Sequence, residues 1–142
     1  MGVQRVEDLI AWQLANAFKL EVYRLIRESA GAREDHRFRD QLRGAAASTG
    51  MNIGEGFFRY GASEFARYLT IGLASLGEAT LWLNDGVDRG YFVRASCGEA
   101  LALAKRCRIA TLRLQQSLEP FIKTRQRHTG PKGRSGVVGF RS

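Results

Sequence analysis

Proline, histidine, cysteine and lysine are all scarce in this chain, and each scarcity narrows what the protein does. The 142 residues hold two prolines, Pro120 and Pro131, so nothing before residue 120 forces a helix to break. Neither of the two histidines, His36 and His128, has a glutamate three residues before it. Helical bundles that hold two metal ions draw Glu-x-x-His from two helices, and hydrolytic triads need a histidine on an ordered segment. Glu55 and Glu78 remain as a candidate carboxylate pair, but without histidine they more readily serve as hydrogen-bonding groups. No enzyme activity, no metal and no cofactor are expected.

Cysteine is limited to Cys97 and Cys107, ten positions apart on what reads as one helix, hence about 15 Å apart and unable to bridge. Free thiols on an apolar stripe suit a reducing, cytoplasmic compartment. Glu7 and Asp8 interrupt any leader-like apolar run, and Val6 stands where myristoylation wants serine or threonine. No apolar stretch reaches the ~20 residues needed to span a bilayer, so no membrane partner is expected. No segment alternates with period two for long enough to suggest a sheet.

What is present is arginine and helical periodicity. Lysine plus arginine number 22 against 14 acidic residues, a net charge of +8. Residues 123–142 carry six basic side chains (Lys123, Arg125, Arg127, Lys132, Arg134 and Arg141) and no acid, leaving 16 basic and 14 acidic groups, or +2, on residues 1–122. The chain therefore reads as a bundle domain over 1–122 and a basic, Gly/Arg-rich tail over 123–142, expected to be disordered.

Apolar residues recur at spacings of three and four in four segments, which predicts an all-α, antiparallel, up-down four-helix bundle. The first runs from about Leu9 to Ser29, with Ala11, Ala15, Phe18, Val22 and Leu25 on one stripe. The second begins near Glu34 or Arg37 and carries Leu42, Ala46, Thr49, Ile53 and Phe57. The third starts with Ser63 as N-cap and ends near Asp88, its stripe being Phe65, Leu69, Leu73, Leu76, Leu83 and Val87. The fourth opens with a capping-box pattern from Ser96 to Glu99 and continues to about Lys123, with Pro120 loosening its last turns.

Residues 48–65 hold Gly50, Gly54, Gly56 and Gly61. A phosphate loop would need a strand leading into such glycines and a Gly-Lys-Ser or Gly-Lys-Thr step, whereas a helical stripe leads in here and Glu55 stands where a phosphate would be repelled. Close helix packing is expected instead, with Gly50 and Gly54 inside the second helix and Gly61 ending it. Behind the two central stripes lie Asn52, Glu55, Tyr68, Ile71, Ser75, Glu78 and Trp82, a mixed aromatic and polar set that suits a contact with another subunit. The alternatives are that these aromatics are core, the inward side being rotated, or that the polar members bond across the second and third helices.

For nucleic acid, the candidate residues are Arg59 and Arg67 beside the turn between those helices, Arg106 and Arg113 seven apart on the fourth, and Lys123, Arg125, Arg127, Lys132 and Arg134 of the tail. Association of several copies would multiply each basic patch. The competing reading is a protein-interaction scaffold or accessory subunit, with a polymerase-type protein as its partner and no direct role for nucleic acid.

The strings QLRGAAASTGMNIGEG (residues 41–56), FARYLTIGLASLGEA (65–79) and GYF (90–92), with LIAWQLA (9–15) and VYRL (22–25), resemble the four-helix bundle proteins encoded in intervening sequences of bacterial large-subunit ribosomal RNA genes. The resemblance covers about residues 6–118, and Asn-Ile-x-Glu-Gly is its most specific element. It implies a cytoplasmic, non-enzymatic bundle that forms a ring, commonly a pentamer. In shape and charge the chain is also similar to the accessory variability proteins of diversity-generating retroelements, basic rings that bind nucleic acid and a reverse transcriptase. Gly44 and Gly54 stand where arginine and alanine are usual in the first family, which removes a basic residue from the second helix.

Overall fold

A computed structural model describes the backbone of residues 2–128 and the side chains of residues 2–122. Every regular element among them is helical. After a 3-10 turn over Val6–Asp8 come α1 (Ile10–Arg27), a short α2 (Ala30–Glu34), α3 (His36–Phe58), α4 (Ala62–Asp88), a 3-10 turn over Arg94–Cys97, and α5 (Gly98–His128). The four long helices close a cycle in which α1 packs on α3 and α5, and α4 packs on the same two.

Side-chain contacts fix the directions. The Ser48 and Ser75 hydroxyls meet at 3.0 Å, while Gly56, further along α3, lies beside Phe65 and Tyr68, earlier on α4. Gln115 of α5 donates to the Ala66 carbonyl and the Thr70 hydroxyl, and Arg94, just before α5, reaches Asn84. Successive long helices therefore alternate in direction. The first expected stripe is wholly inside, Ala11, Ala15, Phe18, Val22 and Leu25 all being buried. With Phe38, Leu42, Ile53, Leu69 and Leu83 they make the core.

Boundaries differ from the expected ones where local chemistry outweighs periodicity. α2 was not expected, since five residues are too few to show a period. Ser29 caps it by accepting from the Ala32 amide, and Asp35 caps α3 by accepting from the Phe38 amide. Gly61 (φ 95°), rather than Ser63, precedes α4; the left-handed backbone reverses the chain so tightly that Ser63 already lies in the first turn. Ser96 sits inside the 3-10 turn that precedes α5, so no capping box forms there, and Cys97 and Cys107 do not share a helix. Pro120 does not end α5, which runs six residues past Ile122 to His128. The tail expected from residue 123 thus begins as helix, and the disorder expected over 129–142 falls on residues outside those described.

Gly50 and Gly54 lie within α3 as expected, but a β-carbon at either would meet neighbours at ordinary distances, 3.6 Å from Ala15 and 3.8 Å from Val6. The close approaches are elsewhere. At Gly56 a β-carbon would come within 2.8 Å of the Tyr68 Cβ and 3.2 Å of the Phe65 carbonyl, and at Gly72 within 3.3 Å of the Thr49 carbonyl. α3 and α4 approach each other through these two positions.

Candidate nucleic-acid interface

Of the cations singled out in the sequence, the two at the α3–α4 turn are already occupied. Arg59 donates to Glu55 through Nη2 at 2.6 Å and Nε at 3.0 Å, one helical turn away. Arg67 holds Glu64 at 3.2 Å. Both guanidinium groups also lie over the Tyr68 ring, at 5.1 and 4.6 Å from its centre. The hydrogen bond that Arg59 donates to Glu55 raises its pKa, and the one that Arg67 donates to Glu64 does the same for Arg67, while the Arg67 guanidinium holds Glu64 below the usual carboxylate range. Two cations and two anions cancel, so a phosphate arriving here would displace a carboxylate first.

α5 carries the opposite arrangement. Residues 100–118 include Lys105, Arg106, Arg108 and Arg113 and no acid. All four are exposed, and among the described residues none makes a side-chain ion pair or hydrogen bond. Seven residues place Arg106 and Arg113 on one flank of the helix, about 10 Å apart along its axis. Lys105 and Arg108 lie on the flank toward α4. The side chains of Lys123, Arg125, Arg127, Lys132 and Arg134 are outside the described residues, but α5 carries the backbone of the first three onward in helical register.

The residues assigned to a subunit contact divide as well. Asn52 is half-buried and donates to the Ser48 carbonyl and hydroxyl, and Ser48 in turn meets Ser75, so Asn52 and Ser75 belong to a polar chain inside the α3–α4 seam. Trp82 packs edge-on against Phe38, with ring centres 5.9 Å apart. Within the single chain, then, Asn52 and Ser75 bond at the α3–α4 contact and Trp82 packs on Phe38, while the expected stripes stay inward, Leu42, Ile53, Leu69 and Leu83 being buried. Tyr68 is half-buried beneath the two arginines. Ile71, Glu55 and Glu78 are exposed; Glu55 is committed to Arg59 and Glu78 accepts from the Trp82 indole at 3.5 Å. The Ser48–Ser75 pairing sets Glu78 and Glu55 at different levels of the seam, well apart as a carboxylate pair.

One polar cluster escaped the sequence reading. Asp35 accepts from the Tyr91 hydroxyl at 2.6 Å and from Arg89 at 3.2 Å, besides capping α3. The Tyr91 hydrogen bond, then the Phe38 amide, hold Asp35 below its ordinary pKa, and the same bond pushes Tyr91 up. This ties the loop after α4 to the α2–α3 joint, where Tyr91 also covers Gly31. The available signal was the Gly-Tyr-Phe string, which carries no hint of a partner 56 residues away. Cys107 is buried, with its thiol pushed up to about 11 by burial and turned toward the Ala11 carbonyl. Among the described residues no three His, Cys, Asp or Glu side chains come together as a metal site, and no helix is long and apolar enough to cross a membrane.

The described residues thus form an all-helical bundle whose α3–α4 turn is charge-neutral and whose α5 carries a run of cations without an acid over residues 100–118. The sequence profile of the 23S rRNA-intervening sequence proteins matches residues 7–111, and the chain belongs to that family. A search of curated proteins finds no match to it.

Proposed function

We propose that this chain is a non-enzymatic four-helix bundle that assembles into a ring, a pentamer in our reading, works in the cytoplasm, and binds RNA or DNA. Arg106 and Arg113 of α5 lead that contact, continued by Lys123, Arg125 and Arg127 and by Lys132 and Arg134 beyond them. The observation that carries the reading is that Arg106 and Arg113 have no acid or hydrogen-bonding side-chain partner among the described residues, since an unpaired guanidinium can take up phosphate without breaking a pair. Arg59 and Arg67 contribute less for the opposite reason. The family's description, tied to ribosomal RNA genes, agrees with a nucleic-acid role.

The test is the salt dependence of binding to a labelled RNA duplex. Log affinity falls by about 0.9 per log unit of salt for each phosphate neutralised on a B-form duplex, with a comparable steep fall on RNA. The Arg106→Ala/Arg113→Ala double variant is expected to flatten the slope, and Arg59→Ala/Arg67→Ala to leave it nearly unchanged. Binding that is flat in salt overturns the reading. For the ring, Ile71→Asp is expected to lower the mass seen by light scattering while helicity stays intact, because Ile71 is already 37% exposed on the single chain.

A further inference from the structure

We propose that the groove between α4 and α5 is a docking site for an acidic protein segment that presents one bulky apolar side chain between carboxylates. The site is distinct from the Arg106–Arg113 flank, and its success or failure does not depend on nucleic-acid binding.

The groove encloses about 270 Å³ and is walled by Leu73, Leu76, Leu101 and Ala104, with Gly77 at its lip. It exists because the seam is clasped at both ends and open in the middle. Gln115 ties α5 to Ala66 and Thr70 at one end, and Arg94 reaches Asn84 at the other. Between these clasps α4 offers Gly77, where a β-carbon would meet nothing within 4 Å, and α5 places beside Leu101 the small Ala104, whose side chain is a single methyl group. Thr80 also lines the groove, but its hydroxyl donates to the Gly77 carbonyl at 2.7 Å, so the wall stays apolar.

The rim fixes the charge of the occupant. Lys105 and Arg108, three residues apart on α5, complete the lining, no acid belongs to it, and neither cation has a side-chain partner among the described residues. An apolar floor beside two unpaired cations complements an apolar anchor flanked by Asp or Glu. The basic segment over residues 123–142 would meet like charge here and is excluded as the occupant. The groove is open along its length, and Leu81, one turn beyond Gly77 on α4, is 71% exposed, so the surface suits a chain laid along the seam.

The probe is a synthetic amphipathic helix with leucines on one face flanked by glutamates, measured by fluorescence anisotropy against the same peptide with lysines in place of the glutamates. The glutamate peptide is expected to bind about tenfold or more tightly than the lysine peptide. Gly77→Leu, which fills the groove from an open position, is expected to abolish that binding with helicity unchanged. Lys105→Glu/Arg108→Glu is expected to reverse the preference. Equal affinity for the two peptides, or unchanged binding to Gly77→Leu, overturns the proposal. A changed assembly mass in Gly77→Leu would hand the groove to a second copy, and loss of RNA-duplex binding in that variant would hand it to nucleic acid; either result also overturns it.

Discussion

On the side of α4 that meets α3, Gly72 brings the Thr49 carbonyl to 3.3 Å from where a β-carbon would stand, whereas on the side that meets α5 Gly77 faces open space. The same residue type on the same helix does two different things. At the first seam glycine allows backbones to approach, and Gly56 repeats the device from α3. At the second, Gln115 of α5 bonds to α4 near one end and Arg94, just before α5, near the other, and the missing side chain leaves a groove. Glycine in a bundle is therefore informative only together with what stands opposite it. The polar groups follow the same division: Ser48, Asn52 and Ser75 satisfy one another within the tight seam, while Lys105 and Arg108 beside the loose one have no side-chain partner among the described residues.

If that contrast is real, truncation should be costly on one side and mild on the other. Ile53 is fully buried on the tight seam against Gly72, and Ile53→Ala is expected to cost about 2–5 kcal/mol of unfolding free energy in urea titrations. Leu101 is half-buried on the groove wall, and Leu101→Ala is expected to cost well under half as much. Equal losses would erase the distinction between the seams.

Adding a methyl group tests the tight seam from the other direction. Gly56→Ala would place its β-carbon 2.8 Å from the Tyr68 Cβ, on a helix rather than on a flexible side-chain end. Overpacking of this kind costs about 1–3 kcal/mol, which the gain in helix propensity only partly offsets. Denaturant melts of Gly56→Ala should show a net loss, and a gain would mean that the seam opens readily.

The stripes were legible in the sequence because burial imposes a period of 3.6, and the same period placed all four long helices. Direction of facing was less legible. Asn52, Ser75 and Trp82 read as an outward surface because a wheel cannot tell a polar joint between two helices from a polar face toward another molecule. Charge was legible as a count and illegible as a state: Arg59 and Arg106 look alike in the sequence, yet Glu55 neutralises the first and no described residue neutralises the second. Where Gly61 and Asp35 set the boundaries, one backbone angle or one cap outweighed the pattern.

The Asp35–Tyr91 tie adds a pH signature at the end of the molecule where α2 meets α3. The Asp35 pKa is lowered in the fold, so its contribution is complete above about pH 4, the unfolded value, and is lost as pH falls through the folded one. The Tyr91 pKa is raised, so its contribution is complete below about pH 10 and is lost as pH climbs through the folded value. Stability measured against pH should have an acid limb and an alkaline limb. Asp35→Asn is expected to flatten both, and Tyr91→Phe to flatten the alkaline limb and shrink the acid one. An acid limb that survives intact in Asp35→Asn would place its origin at another carboxylate.

The smallest expected effect is the most direct reading of the open seam. Glycine inside a helix is destabilising relative to alanine by up to about 1 kcal/mol, unless a close neighbour makes its bareness useful. Nothing lies within 4 Å of a β-carbon at Gly77, so Gly77→Ala should recover most of that difference and raise the melting temperature by roughly 2–4 °C. Gly72→Ala lies five residues away on the same helix and gains the same propensity, but the Thr49 carbonyl at 3.3 Å must move for it. The difference between these two variants, measured side by side, isolates the neighbour from the helix. A stabilised Gly77→Ala beside a destabilised Gly72→Ala means that α4 keeps a glycine at position 77 at a cost to its own stability, as a helix would if the space beside it were meant to be filled from outside.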